Sequence, residues 1–245
     1  MKTSIIIPAR LDSKRLENKA ILEVCGKSLI QRVYEQASKS SFADEVFIVT
    51  DSPKVESVCS KFTDRILLRE GVCESGTERI AQICSRIDAD LVINVQGDEL
   101  FIEPTLIDEV ICELSKEKDQ IVSSMTRISN FEELTNENVV KVVIDQNYNA
   151  LYFSRSRIPF CRNSVDFKKT GFDYWKHIGI YGYTKNFLLN FSSLKDYEIE
   201  KIEKLEQLKF LMNGYKIKML ESEGNSLSIN TQEDLDRARK ILGNE

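Results

Sequence analysis

The sequence contains a single histidine, and its six cysteines are scattered along 245 residues without one CxxC pair. Zinc centres are usually built from closely spaced cysteine and histidine ligands, so this composition argues against one. Long apolar runs are also missing: the opening MKTSIIIPAR has too short an apolar part for a signal peptide or a membrane span. We therefore expect a cytoplasmic protein with reduced thiols and no membrane partner.

An excess of basic charge is absent as well. The chain carries 34 lysines and arginines against 39 aspartates and glutamates, which gives a net charge of -5. Proteins that bind nucleic acid present broad basic surfaces, so no nucleic-acid partner is expected, although a local basic pocket for a small anion remains compatible with this charge. With 42% hydrophobic residues the chain can bury one full core, which predicts a single domain over residues 1–245.

Short apolar runs alternate with helical patterns in the first half of the chain. The patterns predict strands at 3–8, 45–50, 90–95 and 121–126, and helices at 28–39, 52–62, 77–86 and 104–116. Strands that alternate with helices are typical of right-handed βαβ units. The sequence therefore predicts an α/β fold with a mostly parallel central sheet.

The second half has a different pattern. Strands are predicted at 139–145, 150–154, 177–184 and 215–220, the first two joined by the hairpin turn QNYN. Residues 200–213 carry leucine or isoleucine every third position, which predicts one amphipathic helix, and Thr231 is placed to cap a terminal helix over 231–242. We expect a smaller β-rich segment around 145–190, inserted into or appended to the α/β core.

A buried strand runs directly into glycine and two carboxylates in the stretch VINVQGDE, residues 92–99. In a parallel sheet, ligands bind at the carboxyl ends of the strands, which is where this stretch ends. Gly97 permits an unusual backbone angle or a close approach, and Asp98 is placed to hold a divalent cation such as Mg²⁺. The competing interpretation is a glycine turn followed by solvated acids.

The first predicted strand ends in a basic loop that contains Arg10, Lys14, Arg15 and Lys19. The loop lacks the glycines of a Walker motif and of GxGxxG. Cationic side chains and backbone N–H groups can still bind a polyphosphate. Alone, the loop is better explained as a solvated surface, but an acidic loop at the same sheet edge favours a triphosphate with magnesium.

Two further stretches combine polar residues with predicted elements. In SGTER, Ser75 precedes a helix whose first N–H groups are open to an anion or a base edge, and Arg79 lies where a cation opposes the helix dipole. In HIGIYGY, alternation places His177 and Tyr181 on one polar, aromatic face that suits a sugar. The alternatives are a capped helix with a surface arginine, and a structural histidine. Glu206 and Gln207 lie on the predicted helix over 200–213, where the alternative is that they form only its solvent-facing polar side.

Taken together, these stretches resemble one known family. The segments IIPAR, SGTER, NVQGDE, NxNVVKVV, ALYFSRSxIP, HIGIYGY, LEQL and xTxEDL occur in this order over nearly the whole chain. Each is weak alone, but the ordered set is similar to that of the 3-deoxy-manno-octulosonate cytidylyltransferases, also called CMP-Kdo synthetases. The related CMP-sialic acid synthetases share the opening segment.

The resemblance implies a Rossmann-like nucleotidyltransferase fold with helices on both faces of the sheet, and a magnesium-dependent homodimeric enzyme. The implied reaction joins CTP to an acidic 3-deoxy sugar (Kdo or a modified Kdo such as an 8-amino form), giving the CMP-sugar and pyrophosphate for lipopolysaccharide or other surface glycan synthesis. Carried over by position, the implied nucleotide-binding residues are Arg10, Ser13, Lys19, Ser75, Arg79 and Gln96. The implied catalytic residues are Arg10, Lys19 and Asp98, the metal ligands Asp98 and Asn230, and the sugar-binding residues Arg155, His177, Tyr181, Glu206 and Gln207.

Several positions depart from the family pattern. Asn230 stands where the family has an aspartate that binds a second magnesium, so we expect weaker metal binding or a ligand set that depends on Asp98. Leu100, Cys73 and the sequence LENK at 16–19 replace the usual proline, histidine and LPGK. These changes leave two alternatives open: activation of a sialic-acid-like nonulosonate, or a non-catalytic homologue that binds CTP.

Overall fold

The computed structural model describes residues 1–11, 15–69, 71, 73, 75–116, 118, 120–162, 171–223 and 228–243. In chain order these residues form β1 (Thr3–Ala9), β2 (Glu23–Val24), β3 (Lys27–Ser28), α1 (Leu29–Ala37), β4 (Glu45–Thr50), α2 (Pro53–Cys59), β5 (Ile66–Leu68), α3 (Gly76–Ile83), β6 (Leu91–Val95), α4 (Pro104–Leu114), β7 (Ile121–Arg127), α5 (Phe131–Thr135), β8 (Lys141–Ile144), β9 (Ala150–Ser154), β10 (Trp175–Thr184), α6 (Lys185–Leu189), α7 (Glu198–Glu203), α8 (Gln207–Met212), β11 (Lys218–Glu221) and α9 (Gln232–Gly243). Each long strand and helix predicted in the first half is present. The short strands β2, β3 and β5 were not predicted, because two or three residues give too little alternation to read.

Side-chain caps fix where the predicted helices begin. Ser28 Oγ accepts a hydrogen bond from the backbone N–H of Gln31 at the start of α1. Thr231 Oγ1 accepts one from the N–H of Asp234 at the start of α9, as the sequence predicted. Each cap satisfies an N–H group that has no partner within its own helix.

In the described part of the chain, nine strands form one sheet in which the order β11-β7-β10-β6-β1-β4-β5 runs from edge to edge. The pairs β1–β4, β1–β6, β4–β5 and β7–β11 are parallel. Strand β10 lies antiparallel between β6 and β7. The β8–β9 hairpin joins the sheet through pairing of β8 with β10. The prediction of a mostly parallel central sheet is confirmed.

Helices cover both faces of this sheet, as expected for its buried strands. Successive residues of β1 point to opposite faces, so Ile5 and Ile7 pack into one core cluster and Ile6 into the other. The first cluster contains apolar residues of α1, α2, α4 and α9. The second contains those of α3, α6 and α8. Because helices bury both faces of β1 and β6, the sequences of these strands are nearly continuous apolar runs.

The prediction of one helix over residues 200–213 is wrong. Helix α7 ends at Glu203, and Lys204 adopts a left-handed conformation with φ 53° before α8 begins at Gln207. The Glu203 carboxylate accepts hydrogen bonds from Ser154 Oγ at 2.6 Å and from the Arg155 N–H at 3.0 Å. These contacts tie α7 to β9, and the turn then lets Leu205 reach the core. Leucine or isoleucine recurs every third residue on both sides of Lys204, so the sequence pattern gives no sign that the helix is interrupted there.

The predicted β-rich segment around 145–190 contains β9 and β10, and both strands belong to the same sheet as β1. Residues 163–170 of this segment lie outside the described residues. Among the helices described, none combines the length and the apolar character that crossing a bilayer requires.

Candidate active site

A pocket of about 140 Å³ opens at the carboxyl edge of the parallel strands. It is lined by Pro8, Arg10, Cys73, Ser75, Gly76, Arg79 and Gln96. Strands β1 and β6 are parallel neighbours, so the loops that follow them meet at this edge. Four residues predicted to bind nucleotide, Arg10, Ser75, Arg79 and Gln96, therefore share one cavity.

Two glycines allow the walls of the pocket to approach each other. A Cβ atom on Gly97 would lie 3.0 Å from the Pro8 carbonyl oxygen, so only glycine lets the loop after β6 pack against β1. A Cβ atom on Gly76 would lie 3.3 Å from Pro8 Cγ and 3.4 Å from Gln96 Oε1. Gly97 of the QGDE stretch thus permits the close approach of this loop to Pro8.

The start of helix α3 forms the inner wall. Ser75 Oγ accepts a hydrogen bond from the Glu78 N–H at 3.1 Å and caps the helix. Arg79, in the first turn, is buried, with 4% of its side chain exposed. Its Nη2 lies 2.8 Å from Asp51 Oδ2, and its Nη1 donates to the Ala9 carbonyl at 3.3 Å. The alternative interpretation of Arg79 as a surface arginine is therefore wrong, because Arg79 is buried and paired within the protein.

The outer part of the pocket has a different charge environment. Arg10 is exposed and makes no ion pair with any other residue that the structure describes. Its positive charge is therefore available to an anion. Ser13, also predicted to bind nucleotide, lies outside the described residues.

Lys19, Asp98 and Asn230, to which the sequence analysis assigned catalytic and metal-binding roles, meet beside the pocket, while the roles themselves stay predictions. Lys19 Nζ lies 2.5 Å from Asp98 Oδ2 and 3.3 Å from Asn230 Oδ1. The Asn230 oxygen also accepts from Arg15 Nη2 at 2.9 Å. Asn18, which takes the glycine position of the family's LPGK, adopts the left-handed conformation that asparagine tolerates and so starts the short turn that carries Lys19.

Arg15 contacts this cluster, although the sequence analysis assigned it no individual role. Its Nη1 donates to Asn138 Oδ1 at 2.6 Å while its Nη2 reaches Asn230. One guanidinium thus joins the loop after β1 to two segments that are more than a hundred residues away. Its place in the basic loop was the only signal in the sequence.

His177 and Tyr181 lie together, with ring centroids 5.2 Å apart. His177 Nε2 is 2.9 Å from Ser123 Oγ, and Ser123 donates its single proton to the Ile180 carbonyl at 2.7 Å. Nε2 is therefore the protonated nitrogen of the imidazole. Burial lowers the pKa of His177 to about 3, so this ring is neutral at physiological pH.

Glu206 contacts the start of helix α3 from the other side. Its Oε1 accepts a hydrogen bond from Thr77 Oγ1 at 2.5 Å, and Thr77 Oγ1 lies 2.9 Å from the Tyr183 hydroxyl. Glu206 Oε2 is buried and has no hydrogen-bond partner among the described residues. Burial raises the pKa of this carboxyl. The adjacent Gln207 is buried in the first turn of α8.

Arg155 stands apart from the other predicted site residues. Its Nε donates to the Glu203 carbonyl at 2.8 Å and its Nη1 to the Glu137 carbonyl at 3.0 Å. Among the described residues it makes no hydrogen bond to any other predicted site residue. The guanidinium therefore joins the end of α7 to the loop before β8, and its bidentate contact with a sugar carboxylate stays a prediction.

Comparison with known proteins shows the family of this chain. A family model described as Cytidylyltransferase matches residues 4–217. A 3-deoxy-manno-octulosonate cytidylyltransferase of Geotalea uraniireducens (strain Rf4) is 40% identical over 249 residues, covering 99% of each chain. One of Francisella tularensis subsp. tularensis (strain SCHU S4 / Schu 4) is 42% identical over 244 residues, covering 97% of each chain. The chain belongs to the 3-deoxy-manno-octulosonate cytidylyltransferase family.

Solved structures of similar shape agree with this family membership. A CMP:2-keto-3-deoxy-manno-octonic acid synthetase complexed with CTP superposes with a TM-score of 0.92 at 34% identity, covering 100% of this chain and 99% of that one. The 4-diphosphocytidyl-2C-methyl-D-erythritol synthase of Anaerococcus prevotii DSM 20548, at 18% identity and a TM-score of 0.65, shares the fold alone. The resemblance found in the sequence and the predicted nucleotidyltransferase fold are confirmed.

Proposed function

We propose that this protein transfers the cytidylyl group of CTP to the anomeric hydroxyl of a 3-deoxy-2-ulosonic acid of the 3-deoxy-manno-octulosonate (Kdo) type, releasing pyrophosphate. The observation that carries this proposal is the full-length identity with 3-deoxy-manno-octulosonate cytidylyltransferases. The pocket beside Lys19 and Asp98 supports it, because the exposed Arg10 suits a triphosphate and the start of α3 offers hydrogen-bond donors to a base. The comparisons do not favour a nonulosonate substrate or a non-catalytic homologue.

In this reaction the anomeric oxygen attacks the α-phosphorus of CTP. A bond forms between these two atoms, the bond from the α-phosphorus to the bridging oxygen breaks, and pyrophosphate leaves with that oxygen. The hydroxyl proton passes to solvent. Catalysis then consists mainly of alignment and charge neutralisation, and Arg10 and Lys19 offset the negative charge of the departing pyrophosphate.

The sugar-facing residues act by orientation. The neutral imidazole of His177 has a pKa of about 3 and is therefore too weak a base to remove the hydroxyl proton at neutral pH. Tyr181 is buried, with 3% of its surface exposed, and its ring packs behind the partly exposed ring of His177. Of the two, His177 is therefore the one that we infer contacts the sugar. We infer the same orienting role for Glu206, whose carboxylate oxygen Oε1 is already bound to Thr77.

Magnesium is the metal that we infer for this site. Asp98 and Asn230 offer one carboxylate and one amide oxygen, which are the hard ligands that magnesium takes. The described residues contain no group of three or more acidic, histidine or cysteine side chains placed to hold a metal. The two oxygens therefore fit a magnesium ion whose remaining ligands are phosphate oxygens of the nucleotide. Bound there, magnesium would lower the pKa of the sugar hydroxyl and offset charge on the α-phosphate.

A substrate panel tests this function. The purified protein is incubated with CTP, magnesium and, in turn, Kdo, 8-amino-8-deoxy-Kdo and a nonulosonate such as sialic acid, and pyrophosphate release is followed. Turnover with a Kdo-type acid, together with formation of the CMP-sugar, is expected. Turnover with the nonulosonate alone, or CTP binding without turnover on any acid, would contradict the proposal.

We also infer a homodimer. Leu151, Phe160 and Phe172, in the predicted β-rich segment, have 60%, 80% and 48% of their surfaces exposed. Among the described strands β9 pairs only with β8, and the Ala150 N–H at its start donates to the Ile217 carbonyl, so the rest of its outer edge has no strand partner. Light scattering after size exclusion tests this inference. Leu151→Lys is expected to shift a dimer toward monomer, whereas Ile202→Lys, at a more exposed apolar position in α7, is not.

For the compartment we propose the reducing cytoplasm. All six cysteines are free in the structure. Burial raises the pKa of Cys59 to about 12, so its thiol is kept protonated. Mass analysis of protein purified without reductant should show six free thiols.

A further inference from the structure

Asp51 lies directly after β4, at the same sheet edge as the pocket. Its Oδ2 is 2.8 Å from Nη2 of Arg79, and its side chain is 29% exposed while that of Arg79 is 4% exposed. A second donor of the same guanidinium, Nη1, is held by the Ala9 carbonyl. The guanidinium is therefore fixed at two points, by the carbonyl of Ala9 at the end of β1 and by the carboxylate of Asp51 just after the neighbouring strand β4.

Arg79 requires such a partner for two physical reasons. A guanidinium taken out of water is costly unless an opposite charge and hydrogen bonds accompany it. Arg79 also lies in the first turn of α3, where the helix dipole opposes a cation. The carboxylate of Asp51 supplies the opposite charge and the hydrogen bond that offset both costs. The Asp51–Arg79 pair therefore presents little net charge to the pocket.

The pocket consequently has two different ends. Arg10 is exposed and unpaired among the described residues, while Arg79 is buried and neutralised. A triphosphate is drawn to the unpaired cation. The end at Arg79, with the amide of Gln96 beside it, offers hydrogen-bond donors without net charge, which suits an uncharged base.

We propose that Asp51 is a positioning residue of the nucleotide site: it fixes the guanidinium of Arg79 and cancels its charge, so that this end of the pocket takes the nucleobase and not a phosphate. The proposal rests on the proposed function, because it takes the pocket to bind a cytidine nucleotide. A guanidinium has donors only. The edge of cytosine presents acceptors at O2 and N3, whereas uracil presents a donor at N3, so a guanidinium held in one orientation prefers cytosine.

The test measures the binding of CTP and of UTP by calorimetry, with magnesium absent so that the metal site does not contribute. Asp51→Asn is expected to weaken CTP binding about tenfold or more, as the loss of a charged hydrogen bond does, and to reduce the preference for CTP over UTP. Asp51→Glu should restore most of that preference. Glu45→Gln, which removes the surface partner of Arg65 on the same strand, should change neither nucleotide's affinity more than about twofold.

A double-mutant cycle shows whether Asp51 acts through Arg79. In an Arg79→Gln background, Asp51→Asn should change CTP affinity by less than about twofold. Equal losses of CTP and UTP affinity, or losses that multiply in the double variant, would overturn the role of Asp51. Wild-type protein that binds no CTP even after magnesium is added would instead contradict the proposed function itself. Melting temperatures of all variants report their folding separately.

Discussion

Lys19 Nζ lies 2.5 Å from Asp98 Oδ2, so the cation of the loop after β1 and the carboxylate after β6 neutralise each other when no nucleotide is bound. Both groups have proposed partners in the reaction: the triphosphate for Lys19 and the metal for Asp98. The ion pair therefore competes with both ligands. When the nucleotide binds with its metal, the Lys19–Asp98 ion pair is replaced by two contacts, one between Lys19 and the triphosphate and one between Asp98 and the metal.

This exchange predicts opposite effects of one substitution on two measurements. Lys19→Gln removes the competitor of the metal, so the affinity of the protein for Mn²⁺, measured by electron paramagnetic resonance, should rise. Turnover should fall roughly a hundredfold, because a preorganised cation at the leaving pyrophosphate is lost. Lys27→Gln, which removes the surface partner of Glu35, serves as the control and should alter neither. A Lys19→Gln variant with weaker Mn²⁺ binding would show that the lysine does not mask Asp98.

Asn230 offers a second test of the metal site. Its oxygen accepts hydrogen bonds from Arg15 and Lys19, two cations, without any charge of its own. Asn230→Asp adds a carboxylate there, and the half-saturating magnesium concentration should fall about tenfold, the size of one added charged contact. A titration of pyrophosphate release with magnesium measures it. An unchanged or higher half-saturation would place residue 230 away from the metal.

The glycines of the pocket predict separable effects on stability and binding. Gly97→Ala brings a Cβ atom to 3.0 Å from the Pro8 backbone oxygen, and denaturant unfolding should show a loss of about 1–3 kcal/mol. Gly76→Ala crowds Gln96 and Pro8 inside the pocket, so it should weaken CTP binding more than it lowers stability. Gly243→Ala, where a new Cβ atom meets nothing within 4 Å, is the matched control. Gly97→Ala protein as stable as wild type would show that the two loops are not in close contact.

His177 predicts a dependence of stability on pH. Its pKa is about 3 in the folded protein and about 6.5 when unfolded, so folding favours the neutral ring. The stability that this difference supplies is complete above about pH 6.5 and is lost as the pH falls toward 3. Between pH 7 and pH 4.5 the melting temperature of wild type should therefore drop further than that of His177→Gln. Equal drops would mean that the ring is protonated in the folded state.

Much of the site was predictable from residues that follow strands. The loops after β1 and β6 were read as cationic and acidic partners, and the structure places Arg10 and Gln96 in one pocket and Lys19 on Asp98. This succeeds because adjacent parallel strands end at the same edge, whatever their separation in the chain.

What could not be predicted depends on pairs of side chains from distant segments. Asp51 follows β4 as Asp98 follows β6, yet nothing in the sequence says that it holds Arg79. The break at Lys204 was hidden for the same reason, because the contacts of Glu203 with β9 end α7 while the apolar period runs on. Periodicity reports which face of an element is buried, and tertiary contacts decide where the element stops.

Asp98 provides the most direct test of the central claim that the cleft of Lys19 and Asp98 performs cytidylyl transfer. Pyrophosphate release from CTP with Kdo and magnesium should fall to background in Asp98→Ala, while its melting temperature stays near that of wild type. Asp88→Ala, which removes a solvent-exposed partner of Lys2, should retain full activity. Folded Asp98→Ala protein that releases pyrophosphate at the wild-type rate would contradict the account.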